Sequence, residues 1–109
     1  MNTADVLRAA ADKLSQPGAW TQGVIARTER GNECPATSAC ARSWCAIGAI
    51  YAVAPNEFLR RDAHLMAEAI APRHDVARYN DSKAKADTIV RFLRKAAREW
   101  EVADAMPDE

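Results

Sequence analysis

No stretch of this sequence is long and apolar enough to cross a bilayer. The longest uncharged run, Ser43 to Asn56, has fourteen residues, whereas a spanning helix needs roughly 20 apolar ones. The segment Met-Asn-Thr-Ala-Asp-Val-Leu-Arg at the start lacks the basic stretch followed by an apolar one that marks a secretory signal. The expectation is a cytoplasmic protein without membrane contact. Cysteine is sparse and odd in number, three in 109 residues, and a reducing compartment keeps such cysteines as thiols, so a disulfide framework is not expected. Cys34 and Cys40 alone could close on each other under oxidation, since they share one loop. Net charge is also missing: fifteen basic residues face fifteen acidic ones, with 5 against 4 before Pro55 and 10 against 11 from there on. Neither half carries the field that gathers nucleic acid. A Gly-rich phosphate loop, a serine nucleophile elbow, an internal repeat and a dividing linker are absent as well.

What is present is the composition of a globular domain, 49% apolar and 28% charged, long enough to bury one core without disulfides or metal. The chain reads as one domain over 1–109, with an acidic tail expected to fray from about 104. From Thr3 to Ser15, Val6, Leu7, Ala10, Ala11 and Leu14 recur at steps of three and four, which predicts an amphipathic helix capped by Asn2 or Thr3. Gln16-Pro17-Gly18 stops it. Trp20 to Thr28 mixes β-branched and polar residues and suits a short strand. Cys34 to Arg42 reads as a loop or as a second, ragged strand that makes a hairpin.

The uncharged run predicts a helix buried on every side, begun by Ser43 as N-cap and ended by Pro55. Asn56 then caps a helix from Glu57 to Ala71 with Phe58, Leu59, Ala63, Met66, Ala69 and Ile70 as its apolar stripe. Arg73 to Ser82 reads as a connector with about one helical turn. Ala86, Ile89, Val90, Leu93, Ala96, Ala97 and Trp100 mark a last long helix. The expected fold is mainly α: four helices around the central Ser43–Ala54 helix, with a small β-hairpin or extended loop between the first two.

Four sets of residues have a claim to chemistry. Cys45, His74 and Asn80 or Asp81 follow the order nucleophile, base, orienter, and Cys45 falls in the first turn of a helix, where the macrodipole favours a thiolate. Against this, Cys45 lies between Trp44 and Ala46 in the least polar segment, where burial raises a thiol pKa and a free cysteine is ordinary core filling. Cys34, Cys40 and Cys45 with a histidine form a nominal ligand set, but their spacing matches no Cys-x-x-Cys clip, so no metal and no other cofactor is expected. His64 reads as a surface residue beside Asp62. Arg91, Arg94, Lys95 and Arg98 share one side of the last helix and could meet phosphates. The acidic residues from Glu99 onward cancel that field, so nucleic acid is not the favoured partner. Trp20, Trp44 and Trp100 come from three elements; core filling is expected of the last two, while Trp20 could be half exposed and anchor a protein.

Trp20-Thr-Gln-Gly23, Trp44-Cys45-Ala46-Ile47-Gly48-Ala49-Ile50, Tyr79-Asn80-Asp81 and the terminal Leu93-Arg-Lys-Ala-Ala97 give the chain a further signature. In their order and spacing the chain resembles a family of small bacterial and phage proteins of unknown function. Members of that family show a Trp-x-x-Gly segment, a Cys-x-x-Gly-Ala helix and an aromatic-Asn-Asp motif before a last helix. The chain departs from the pattern in having Tyr79 where tryptophan is usual, and in its Cys34 to Arg42 loop. The resemblance implies an architecture and a phage or bacterial setting and no particular activity. On the residues themselves, Gly48 beside Ala49 and Ala52 permits close approach of another element, and Asn80-Asp81 can turn the chain and cap the last helix. The function expected is that of a small non-enzymatic accessory or regulatory protein that binds another protein through Trp20 and the basic face of the last helix. A cysteine-dependent hydrolase or transferase using Cys45 and His74 is the first alternative, and nucleic-acid binding the second.

Overall fold

The structure, a computed structural model, describes residues 1–83 and 85–105. The expected fraying of the final residues lies outside the described part of the chain. Among the described residues five α-helices run in the order α1 (Thr3–Leu14), α2 (Ala46–Val53), α3 (Glu57–Ile70), α4 (Val76–Ser82) and α5 (Ala86–Ala105). A two-stranded antiparallel hairpin, β1 (Ala26–Thr28) with β2 (Ala41–Trp44), lies between the first two. The mainly helical architecture with a small hairpin is thus the observed one.

α1 begins where its chemistry dictates. The Asn2 side chain accepts the Asp5 backbone N–H at 2.9 Å while the Asp5 carboxylate accepts the Asn2 N–H at 2.8 Å, a reciprocal cap that satisfies two otherwise orphaned donors. Val6, Leu7, Ala10, Ala11 and Leu14 are all buried, so the periodicity reported the packed face correctly. α1 packs against α2, α3 and α5, and its longest interface is with α5. The centre of the fold is therefore α1 rather than the uncharged helix. Ion pairs between Arg8 and Glu101 and between Asp12 and Arg94 run in opposite chain order, which makes α1 and α5 antiparallel. Both helices bury small residues, Ala10 and Ala11 on α1 and Ala96 and Ala97 on α5, and small buried residues let helix backbones approach closely.

Three expectations about local structure need correction. The strand predicted over Trp20–Thr28 is confined to Ala26–Thr28, because Gly23 (φ +83°) bends the segment and Arg27 holds the bend. Its guanidinium donates to the Thr21 hydroxyl and to the carbonyls of Gln22 and Gly31 at 2.9–3.1 Å. The partner strand of the hairpin is Ala41–Trp44, which takes in only the last two residues of the Cys34–Arg42 stretch, so Ser43 is a strand residue and not a helix cap. The connector after Pro72 contains a 3-10 turn and then a two-turn helix, α4, whose Asp75 side chain caps it at Arg78. Asn80 and Asp81 sit inside α4 and do not cap α5.

The uncharged helix is shorter and less enclosed than expected. α2 spans Ala46–Val53, with Ala46, Gly48, Ala49 and Ile50 buried and Ile47, Tyr51, Ala52 and Val53 half-buried. On α3 the stripe also splits: Ala63 and Ala67 are buried, Leu59, Met66 and Ile70 pack on the core, and Phe58 and Ala69 are exposed. Hydrophobic spacing places Phe58 on the core side, but it is 63% exposed.

Gly48 sets how near α2 stands to the 20–25 segment. A methyl group there would lie 2.1 Å from the Ile25 carbonyl oxygen, well inside contact distance. Gly48→Ala is expected to destabilise the protein by about 3 kcal/mol or more, since the obstacle is backbone and cannot rotate away. Urea unfolding checks this, and a midpoint equal to that of the wild type would mean that α2 does not rest on Ile25.

Candidate functional site

The residues with the best claim to chemistry converge where the 20–25 segment, the start of α2 and α4 meet. Asn80, on α4, is 1% exposed, and a buried primary amide needs partners for both of its ends. Its Oδ1 accepts the Trp20 indole N–H at 2.8 Å and the Ala46 backbone N–H at 3.0 Å. Its Nδ2 donates to the Thr21 carbonyl at 3.0 Å and to Asp81 Oδ1 at 3.2 Å. The same Asp81 oxygen accepts the Gly23 N–H at 2.9 Å. Gln22 completes the seam, its Nε2 donating to the carbonyls of Asn80, Asp81 and Lys83 at 2.6–3.1 Å. These are end-of-helix acceptors that otherwise face no donor.

Cys45 belongs to the same junction. It is the N-cap of α2, not a residue of its first turn: its Sγ accepts the Gly48 N–H at 3.3 Å, and its own N–H donates to the Ile25 carbonyl at 3.1 Å. It is 6% exposed. Burial pushes the thiol pKa above its ordinary value, opposed by hydrogen bonds from the Gly48 and Ile47 backbone and reinforced by the charge of Asp81. A small hollow of about 270 Å³ borders Cys45, Gly23, Ile25, Glu33, Ile47 and Asp81. His74 does not line it. That histidine is exposed, follows Arg73 in the left-handed region (φ 59° and 56°), and bonds through Nδ1 to the Glu68 carbonyl at 3.2 Å. Among the described residues no hydrogen bond joins Cys45 to His74, and the Asn80 amide is committed to Trp20, Thr21 and Ala46.

The other candidates are distributed as follows. Trp20 is half-buried and, with Leu14, Pro17, Val90 and Arg94, lines a cleft of about 380 Å³. The structure therefore brings Trp20 and Arg94 together. Arg91 and Arg94 are exposed and paired with Asp87 (3.6 Å) and Asp12 (3.3 Å), while Lys95 and Arg98 are exposed on the same helix. Trp44 donates its indole N–H to the Ala36 carbonyl at 2.9 Å beneath the Lys13 ammonium. Trp100 is half-buried against the core, and Tyr79 leans on Phe92 with centroids 5.0 Å apart. Cys34 and Cys40 are free thiols that border different hollows. Among the described residues, no three histidine, cysteine or acidic side chains are placed to share a metal ion.

One constellation escaped the sequence reading. His64 is half-buried, with Nδ1 3.3 Å from the Tyr51 hydroxyl and Nε2 2.9 Å from Glu68 Oε1. Glu68 Oε2 accepts the Val76 N–H at 3.0 Å. The spacing of His64 and Glu68 at i and i+4 was a usable signal, whereas the approach of Tyr51 from α2 left no trace in the sequence.

Residues 1–99 match a family model described as Family of unknown function (DUF6197), and the chain belongs to that family. No curated protein and no solved structure matches it.

Two outcomes follow from the junction. Asn80→Ala strands the Trp20 indole N–H, the Ala46 N–H and the Thr21 carbonyl, and is expected to lower unfolding free energy by about 3 kcal/mol or more. Chemical denaturation read by tryptophan fluorescence measures it, and an unchanged midpoint would contradict the network. Cys45 should resist alkylation in the native protein while Cys34 and Cys40 react, as peptide mass spectrometry reports. Cys45→Ser should keep the cap and exceed Cys45→Ala in stability by about 1 kcal/mol. Rapid native labelling of Cys45 would count against its place at the junction.

Proposed function

We propose that this member of the DUF6197 family is a small non-enzymatic accessory or regulatory protein of a phage or bacterial cell, acting in the cytoplasm by binding another protein. The observation that carries the reading is the commitment of Cys45, Asn80 and Asp81 to holding three segments together. Each has its reactive atom engaged by a backbone or indole donor of the fold. A thiolate nucleophile needs an accessible sulfur and a depressed pKa, and Cys45 has a buried sulfur and a raised one. The cysteine-dependent alternative is the weaker for that reason. Nucleic-acid binding through α5 is weaker too, because Arg91 and Arg94 already face Asp87 and Asp12.

The contact surface is the cleft where Trp20 and Arg94 meet. Tryptophan and arginine are the residue types that most often dominate protein interfaces, above all where a ring is half-covered beside a flexible cation. Leu14, Pro17 and Val90 supply an apolar floor, which suits a partner segment presenting an apolar side chain. Trp20 is a poor site for a test, since its indole N–H is bonded to Asn80. Arg94 is exposed and its ion pair is a surface one, worth at most about 1 kcal/mol to the fold.

A photo-crosslinking amino acid at the exposed Gln16, which borders the cleft, should give a discrete protein adduct in cells that produce the chain. The same probe at Glu29 should not. Arg94→Ala should reduce that adduct severalfold with an unchanged melting curve. If no adduct forms, or if the adduct ignores Arg94, the cleft is not the binding surface.

A further inference from the structure

Tyr51 on α2 and the first two turns of α3 build a second surface that the Asn80 junction does not use. Tyr51 and Arg60 line a hollow of about 600 Å³ bounded by Ile25, Glu33 and the Cys34–Thr37 segment. The same two side chains line an adjoining hollow of about 400 Å³ with Phe58, Arg61 and His64. The two meet at Tyr51 and Arg60, and their size is that of ordinary small-molecule sites.

The chemistry of the walls is selective. The Arg60 guanidinium lies 5.0 Å from the centre of the Tyr51 ring, and that of Arg61 lies 5.8 Å from the centre of Phe58. A guanidinium over a ring keeps its N–H edge free, in the planar fork that matches a phosphate or carboxylate. Among the described residues Arg60 has no ion-pair partner, and Arg61 has only its chain neighbour Asp62 at 3.8 Å. Phe58, at 63% exposed, offers solvent-facing ring surface beside them, and the positive end of α3 adds to the attraction for an anion. Tyr51 is held in place, because its hydroxyl is bonded to His64, which is bonded in turn to Glu68. A site whose groups are fixed beforehand loses less entropy on binding. The rim also carries two carboxylates, Glu33 and Glu57, which repel a bare anion and accept hydrogen bonds from hydroxyl or amino groups.

We propose that this double hollow binds a nucleoside monophosphate. Its phosphate meets the Arg60 and Arg61 edges, its base stacks on Phe58, and its sugar hydroxyls or exocyclic amine face Glu33. The site shares no lining residue with the Trp20–Arg94 cleft, so it stands or falls independently of the protein-binding reading.

The test is an NMR titration of isotope-labelled protein with adenosine monophosphate, adenosine and inorganic phosphate in separate runs. The monophosphate should shift Tyr51, Phe58 and His64 resonances at submillimolar concentration and bind at least roughly tenfold more tightly than either fragment. Arg60→Ala should weaken it by a similar factor with an unchanged melting curve, and Phe58→Ala should weaken the monophosphate without affecting phosphate. Absence of shifts at millimolar monophosphate overturns the proposal. So does phosphate binding as tightly as the monophosphate, which would mean an unselective anion site, or affinity that ignores Arg60.

Discussion

One side-chain amide, that of Asn80, connects three parts of the chain that are far apart in sequence. It joins α4 to the Trp20–Thr21 segment and to the first turn of α2 through three hydrogen bonds. A buried amide left half-satisfied costs more than an apolar side chain in its place, so such a group favours only the arrangement in which every partner is present. Once Asn80 is seated, the Ala46 N–H has its acceptor, and α2 can begin only there. The Cys45 sulfur and Gly48 then follow, since the first caps the same helix and the second must pass within contact of Ile25. Gln22 and Asp81 close the seam from the other side.

The junction also explains why three scattered motifs behave as one. Trp20 to Gly23, Cys45 to Ala49 and Tyr79 to Asp81 look in sequence like separate features with separate uses. In the fold they are the donors and acceptors of a single network, and Tyr79 beside it packs on the buried Phe92. A tyrosine at that position can stack in this way without taking part in the polar contacts. The helical body beneath is a different kind of interaction: α1 and α5 contribute their buried apolar residues to one core, where stability comes from packing and burial rather than from any one partner.

Helical periodicity was enough to find α1, α3 and α5, because each is long and keeps its apolar residues on one side. Asn2 and Asn56 were legible as caps because their partners are three residues away. The failures share one cause. Ser43 has the composition of an N-cap, but pairing with Arg27 across the hairpin takes it into a strand, and the capping role passes to Cys45. Asn80 and Asp81 look like turn residues, and partners about sixty residues away make Asn80 interior and tie the exposed Asp81 to Gly23. Phe58 fits the apolar stripe of α3 and yet lies outside the core. The candidate site was visible as a set of residues, while their roles were not, since each role depends on a contact between distant segments.

The same distinction bears on where function can reside. Residues bound into the Asn80 junction are poor witnesses of activity, because altering them changes the fold and every surface with it. Arg94, Arg60, Arg61 and Phe58 are exposed and outside it, and a surface pair or an uncovered ring contributes little to stability. A protein of 109 residues has few such places that combine a cation with an aromatic ring. Selection for binding can therefore act on these positions without disturbing the junction, and a rigid interior lets their geometry be kept at little entropic cost when a partner or ligand arrives.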